Sequence, residues 1–245
     1  MRVPDGEADA AQRGAEVMAF PVMLLTASCV GAVLGAAGAA ANRVKAWDEF
    51  LLWVIGGAIG GVLAVVAWTG AVLGVSALAG LTVGIVTATT IGLIIFATAG
   101  LFGAVVSPLL DNFDGPAGWL FSFVIKWVQS PLLTTVGLIA ATGSGKVDFR
   151  RGMLFIGAGP GGGALALGAV AWTQSDRFTP DATVPDSLAR HESTHSRTVA
   201  AVGELGFYLT YVTIGAIWGL AQGGSWNGLN TAGRGNPFEK TAHTA

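Results

Sequence analysis

Residues 50–70 read FLLWVIGGAIGGVLAVVAWTG, an apolar run without a charged side chain. A run of about 20 apolar residues is long enough to cross the hydrocarbon core of a bilayer as one helix. Its glycines recur every three or four positions, at 56, 57, 60 and 61, and such spacing lets neighbouring membrane helices approach closely. The run therefore predicts a spanning helix that packs through small residues.

Similar runs lie on both sides of it. Residues 17–41 suffice for one span, whereas residues 71–108 are too long for one and barely long enough for two. We therefore expect three or four Gly/Ala-rich transmembrane helices within residues 17–108.

Residues 1–16 mix acidic and basic side chains and lack the short apolar core of a signal peptide, so we interpret them as a polar lead-in compatible with disorder.

The composition supports a membrane protein. Of the 245 residues, 52% are hydrophobic and only 11% are charged, whereas soluble domains carry about 25% charged residues. A net charge of −2 without a dense basic patch gives no reason to expect nucleic-acid binding. The only cysteine, Cys29, lies in an apolar run, which excludes a disulfide within the chain and a cysteine zinc knuckle.

The pattern changes beyond residue 108. Turn-forming residues cluster in DNFDGPAG, 111–118, and short apolar pieces separated by Gly, Ser and Pro follow. Their lengths favour β-strands over spanning helices, so residues 109–245 are predicted to form a small α+β domain. The predicted strands are residues 119–128, 132–142, 152–159 and 163–174. We also expect a helix from about Leu188, and a short apolar segment at 207–221 that is buried or membrane-associated.

The predicted helix carries His191, Glu192 and His195, the pattern H-E-x-x-H. Residues four apart project from one face of a helix, where two neutral imidazoles can bind one Zn²⁺. Glu192 lies beside the first histidine and can accept a proton from water at the metal. The alternative interpretation is a solvated or capped histidine pair near the membrane surface.

Catalytic zinc usually takes three protein ligands and leaves a fourth position for water. Glu204 lies nine residues beyond His195, on the opposite side of a continuous helix, and is rejected. Ala201 stands where the extended motif HExxHxxGxxH requires histidine. Glu239 and His243 remain as candidates for the third ligand, four residues apart.

An HExxH helix followed at a distance by an E-x-x-A stretch, here Glu239 to Ala242, resembles the gluzincin metallopeptidases. Within that group the chain is most similar to integral-membrane gluzincins of the HtpX and CAAX-prenyl-protease type, and it also resembles bacterial HExxH proteins with an NPxExxA stretch. The resemblance covers residues 190–245 and implies a zincin-like domain. It makes Glu192 the general base, with His191, His195 and Glu239 as zinc ligands and His243 as an alternative ligand.

The resemblance implies a membrane-anchored zinc metalloendopeptidase, a hydrolase acting on a peptide or membrane-protein substrate. Tyr208 or Tyr211 is a candidate donor to the oxyanion, and a strand edge at 164–172 could hold substrate in extended form. A membrane-inserting bacterial effector or toxin-like protein is the alternative, as is a structural membrane protein with a degenerate zinc site.

Two glycine-rich stretches resemble nucleotide sites without their context. Residues 157–162 match G-x-G-x-x-G, but too little chain follows for the required βαβ unit, and ATGSGKVD, 141–148, lacks the full phosphate-loop pattern. No nucleotide is therefore expected.

The basic residues predict the orientation in the membrane. With three spans, an excess of basic residues predicts that the loop 42–49 and the C-terminal domain share the cytoplasmic side of a bacterial inner membrane. These residues are Arg43, Lys45, Lys126, Lys146, Arg150 and Arg151.

Overall fold

Three long helices dominate the fold in the computed structural model. It describes residues 5–111, 115–157, 164–215, 217, 221, 226–227, 230–231, 238–239 and 242. The long helices are α1 (Asp5–Ala41), α2 (Trp47–Leu78) and α3 (Ile85–Leu101). A π-helical turn, Phe102–Val106, extends α3 into the short α4 (Ser107–Asp111).

Three segments of these helices are long and apolar enough to cross a membrane: Met18–Ala41, Trp47–Leu78 and Ile85–Asp111. Within the described residues, no fourth helix of this length and hydropathy is found. The long run 71–108 is divided between α2 and α3, because Gly80 ends α2 in the left-handed conformation, with φ of 71°. The amide of Leu81 then donates to the Ser76 carbonyl oxygen at 2.8 Å, as in a Schellman cap.

The first helix begins at Asp5, within the segment interpreted as a polar lead, whereas the candidate span begins at Met18. Ala, Glu, Gln and Arg are strong helix formers and are abundant between residues 5 and 16. Extending a helix costs less than nucleating one, so this polar stretch continues the apolar helix that follows it.

The glycines of α2 contact two different neighbours, which confirms the predicted packing through small residues. A Cβ on Gly57 would overlap the carbonyl oxygen of Gly31 in α1, and a Cβ on Gly31 would overlap that of Gly57. A Cβ on Gly60 would overlap the carbonyl oxygen of Val202, which belongs to the C-terminal domain. The second helix is therefore held between α1 and that domain by backbone contacts that admit no side chain.

We expect Gly57→Ala to destabilise the protein by about 1–3 kcal/mol, because a methyl group at this position forces two helix backbones apart. Gly74→Ala, in the same helix but with no atom within 4 Å of the added Cβ, is the matched control and should be neutral or stabilising. Reversible unfolding in mixed detergent micelles measures both. Equal effects of the two substitutions would contradict the close-packing assignment.

Two predicted strands are helices. Residues 119–128 lie in α5 (Pro116–Gln129) and residues 132–142 lie almost entirely in α6 (Pro131–Ala141). Each helix begins at a proline in the first helical position, where the missing amide costs nothing and the fixed φ favours the helix. The prolines therefore indicate the secondary structure of these two segments better than their lengths, which favoured strands.

The remaining pieces form a four-stranded sheet. Its strands are β1 (Val147–Arg150), β2 (Met153–Ile156), β3 (Ala164–Leu167) and β4 (Val170–Thr173). Their order is β1-β2-β4-β3, with β2 and β4 parallel and the other pairs antiparallel. The predicted strand 163–174 is thus a hairpin that turns at Gly168, φ 61°, and β1 was not predicted. A second, two-stranded sheet pairs β5 (Trp226–Asn227) with β6 (Asn230–Thr231).

Two helices complete the C-terminal domain: α7 (Asp186–Val202) and α8 (Glu204–Leu209), which a π-helical turn at Thr210–Gly215 extends. Gly203, with φ of 80°, separates them. The rings of His195 and Tyr211 are 5.9 Å apart, although one continuous helix would separate these residues by about 24 Å. The chain therefore reverses at Gly203, and α8 returns alongside α7.

Candidate metal centre

The histidine helix α7 is buried along most of its length. Every residue from Glu192 to Val202 is buried, although this stretch includes a glutamate, a histidine and an arginine. Burial of polar groups is costly unless they find partners, so this arrangement needs a network around the helix. The exposed first turn is held by Asp186, whose carboxylate accepts from Arg190 Nε at 2.7 Å. The helix begins two residues before the expected start.

The two histidines project from one face of α7, as their spacing predicts. Their Nε2 atoms lie 3.3 Å apart. The carboxylate of Glu239 reaches both, with Oε2 at 3.4 Å from His191 Nε2 and Oε1 at 3.4 Å from His195 Nε2. These three residues form a cluster that could hold a metal ion.

The donor atoms of the cluster lie close together. The two histidine nitrogens are 3.3 Å apart, and each lies 3.4 Å from a different oxygen of the Glu239 carboxylate. Ligands that bind zinc at about 2.0–2.1 Å with tetrahedral angles are separated by about 3.3–3.4 Å, so the donors approach one another as closely as ligands of one ion do. Two imidazoles and one carboxylate also leave a fourth position for water, so the chemistry of the donor set fits a metal ion such as zinc.

An aromatic cluster positions Glu239. The preceding residue, Phe238, is buried and packs on the rings of Phe207 and Tyr211, with centroids 5.4 and 5.9 Å away. The Tyr211 hydroxyl donates to Glu239 Oε1. Since Phe207 and Tyr211 belong to the returning segment, the reversal at Gly203 is what brings the carboxylate to the histidines.

The electrostatics favour a charged carboxylate at Glu239. Burial alone would raise its pKa, but the attraction of His195 and hydrogen bonds from His195 and Tyr211 lower the pKa to about 2. Burial would likewise lower the pKa of His195, but Glu239, Glu192 and Glu49 together raise it. These shifts describe an ion pair between His195 and Glu239; an ionised carboxylate can bind a metal ion directly, whereas the histidine must first lose its proton.

Glu192 lies beside the cluster without joining it. Its side chain is buried, and Oε1 is 3.9 Å from His191 Nε2. Burial, with a smaller contribution from Glu239, raises the pKa of Glu192 to about 7 against the opposing attraction of His195. A carboxyl group whose pKa lies near neutral pH can both accept and release a proton there.

The other candidate residues have different surroundings. Glu204 accepts hydrogen bonds from the amides of Leu132 and Leu133, at 3.2 and 3.0 Å, so it caps α6. Its rejection as a ligand agrees with this placement, although the helix that the rejection assumed to be continuous is broken at Gly203. His243 lies outside the described residues.

The two tyrosines proposed as oxyanion donors have separate roles. The Tyr208 hydroxyl donates to the Ala166 carbonyl at 2.7 Å and accepts from the Gly168 amide at 3.2 Å. It therefore fastens the β3–β4 turn, and its hydroxyl is already engaged there. Only Tyr211 reaches the metal-ligand cluster. The strand β3 is an edge of the four-stranded sheet, as the predicted substrate-binding strand requires.

A buried ionic cluster behind α7 was not predicted. Asp111, at the end of the third candidate span, lies 2.8 Å from Lys126 Nζ and 3.1 Å from Arg197 Nε. Burial lowers the pKa of Lys126 to about 8, so the amine is still mostly protonated at neutral pH. The sequence signal is Lys126, a single lysine inside an apolar piece, which the sequence analysis uses only to predict the orientation in the membrane.

Comparisons with known proteins identify no relative of this chain. The chain matches no protein-family model, no curated protein and no solved structure. The site must therefore be interpreted from its own geometry.

Proposed function

We propose that this protein is a zinc-dependent metalloendopeptidase of the gluzincin type, anchored in a bacterial cytoplasmic membrane by its three apolar helices. One observation carries the proposal. His191 and His195 come from one helix and Glu239 from 44 residues further on, yet the two imidazole nitrogens lie 3.3 Å apart and each lies 3.4 Å from an oxygen of the carboxylate, the donor set that a catalytic zinc ion uses.

The chemistry that a bound zinc ion would supply is Lewis acidity, which lowers the pKa of water towards about 7 and polarises a peptide carbonyl. His191, His195 and Glu239 would hold the ion, and Tyr211 would keep the carboxylate oriented. Such supporting hydrogen bonds fix the orientation of metal ligands.

Glu192 is the residue to which we assign proton transfer. It accepts the proton of the attacking water and passes it to the amine that leaves as the peptide bond breaks. The substrate is a peptide or a segment of a membrane protein, held in extended form along the edge strand β3. Tyr208 occupies the Ala166 carbonyl and the Gly168 amide, so the substrate would pair with the part of the strand before Ala166.

We place the metal centre on the cytoplasmic side. It lies close to the start of α2, because Glu49 contributes to the pKa of His195, and Arg43 and Lys45 lie in the preceding loop. An excess of basic residues marks cytoplasmic loops.

Zinc content tests the proposal directly. Glu239→Gln should reduce zinc affinity by more than the roughly 10- to 100-fold that loss of a supporting group costs, because it removes a charged ligand. Glu204→Gln is the matched control, since both glutamates are 7% exposed and only Glu239 belongs to the cluster. Protein in lipid nanodiscs would be loaded with zinc, desalted and measured by elemental analysis.

We expect about one zinc per chain in the wild type and in Glu204→Gln, and little in Glu239→Gln. Equal zinc content in wild type and Glu239→Gln would remove Glu239 from the ligand set. A wild type that retains no zinc would reject the proposed function.

A further inference from the structure

Two helix joints in the C-terminal domain lie against each other. One is Ser130, between α5 and α6, and the other is Gly203, between α7 and α8. Glu204, directly after the second joint, accepts from the amides of Leu132 and Leu133, directly after the first. The free backbone amides at the start of α6 are therefore satisfied by a carboxylate from the other joint.

Both joints lie alongside the candidate spans. Gly203 packs against Gly60 and Ala64 of α2, and Gln129 Nε2 donates to the Phe96 carbonyl oxygen of α3 at 3.2 Å. These contacts are well inside the apolar part of both helices. The joints therefore lie on the side of the C-terminal domain that contacts the candidate spans.

The length of α2 sets the depth of the joints. The link 79–84 between α2 and α3 is mostly exposed, and we place it at the far membrane surface. A hydrocarbon core of about 30 Å corresponds to about 20 helical residues, which reach from Leu78 back to Ala58. Gly60 and Ala64 then lie about 3–9 Å inside the near boundary of the core, at 1.5 Å per residue. Gly203, which packs on them, is at the same depth.

The side chains around the joints are apolar and exposed. We define the joint surface as Leu132 and Leu205, which lie next to the two joints and are 68 and 46% exposed. The only charged residues in 116–141 and 204–213 are Lys126 and Glu204, and both are buried with hydrogen-bonded partners. Exposed helix faces of water-soluble proteins carry charged residues, and these do not.

We propose that the joint surface lies in the hydrocarbon of the near leaflet, so that the C-terminal domain is partly embedded in the bilayer rather than only tethered to it. The inference rests on the spanning of the three apolar helices and is independent of the metal. Its partner is lipid acyl chains, because the joint at Gly203 packs on Gly60 and Ala64, inside the hydrocarbon boundary, and the exposed side chains beside it are apolar. Non-helical backbone is tolerated at this depth only where protein satisfies it, as Glu204 does here.

Spin labelling in phosphatidylcholine nanodiscs tests the depth. The natural Cys29 is exposed within the first candidate span and labels the bilayer interior without any substitution. Labels at Leu132→Cys and Leu205→Cys would be introduced in a Cys29→Ala background. Asp176→Cys, an exposed site outside the helices of the joints, is the aqueous control.

We expect oxygen to relax the labels at 132 and 205 more strongly than a water-soluble nickel chelate does, as at Cys29, with the order reversed at 176. Strong relaxation by nickel at 132 and 205 would place the joint surface in water and overturn the inference. Weak relaxation by both reagents would mean that another protein surface, such as a second copy, covers it, and would overturn it equally. A nickel-accessible label at Cys29 would show that the helices themselves do not span.

Discussion

Glu192→Gln is expected to lower zinc-dependent peptide hydrolysis about 10²- to 10⁴-fold, the usual contribution of a general base, while the protein keeps its zinc. The amide has the shape of the carboxylate but cannot accept a proton from water. Glu192 is not a member of the cluster of His191, His195 and Glu239, so its replacement leaves the three proposed ligands in place. The measurement is the cleavage of a fluorogenic peptide library by nanodisc-embedded protein, with zinc content determined on the same samples.

The control for this substitution is Glu204→Gln, which changes another buried glutamate that we place outside the metal centre. Loss of activity together with loss of zinc in Glu192→Gln would mean that Glu192 supports the site rather than acting as base. A different outcome would favour the effector interpretation: growth arrest of a bacterial host on expression that persists unchanged in Glu192→Gln, with no hydrolysis by either protein.

Local spacing was sufficient to predict the histidine pair and the apolar helices. His191 and His195 meet because an α-helix places residues four apart on one face, and no other part of the chain is needed for this. The glycines of α2 likewise follow a helical repeat, which predicts a close-packing face, although the identity of α1 as the partner at Gly31 depends on the fold. The lengths of the apolar runs set an upper limit on the number of candidate spans, and the end of α2 at Gly80 divides the longest run between two helices.

The approach of Glu239 could not be predicted from residues alone. It depends on a reversal at Gly203, on the return of Phe207 and Tyr211 beside α7, and on Phe238 packing against them. These are long-range contacts of a kind that no sequence window contains. The candidate ligand was selected by elimination and by resemblance, and the structure supplies the distances that the proposal uses.

The misassigned helices α5 and α6 have a more specific cause. Their apolar pieces are short and bounded by Gly, Ser and Pro, which suits strands and buried helices equally. The prolines at 116 and 131 were treated as breaks, whereas each occupies the first turn of a helix. The buried partners of Lys126 were unpredictable for a different reason, because Asp111 and Arg197 come from two distant helices.

Asp111→Asn is expected to destabilise the protein by about 3–5 kcal/mol, because it removes the negative charge between two buried cations. The carboxylate lies 2.8 Å from Lys126 Nζ and 3.1 Å from Arg197 Nε, and Ser122 also donates to it at 2.6 Å. Breaking a buried ionic cluster costs more than the cluster itself contributes, since the remaining charges keep their desolvation penalty.

Asp186→Asn is the matched control. Asp186 also bridges two cations, with Arg190 Nε at 2.7 Å and Arg151 at 3.2 Å, but its side chain is 47% exposed. Solvent screens such pairs, so this substitution should cost about 1 kcal/mol or less. The two aspartates thus differ mainly in burial, and the ratio of their effects isolates that variable. Equilibrium unfolding in detergent, followed by circular dichroism, measures both.

A compensating variant separates charge burial from general disruption. In Asp111→Asn with Lys126→Met, one of the two uncompensated cations is replaced by an apolar side chain of similar length, and much of the lost stability should return. Arg197 lies two residues beyond His195 on α7, so the cluster also fixes the helix that presents the histidines. Zinc affinity should therefore fall in Asp111→Asn and recover with stability in the double variant. A double variant no more stable than Asp111→Asn would show that the geometry of the aspartate, rather than its charge, holds α7 in place.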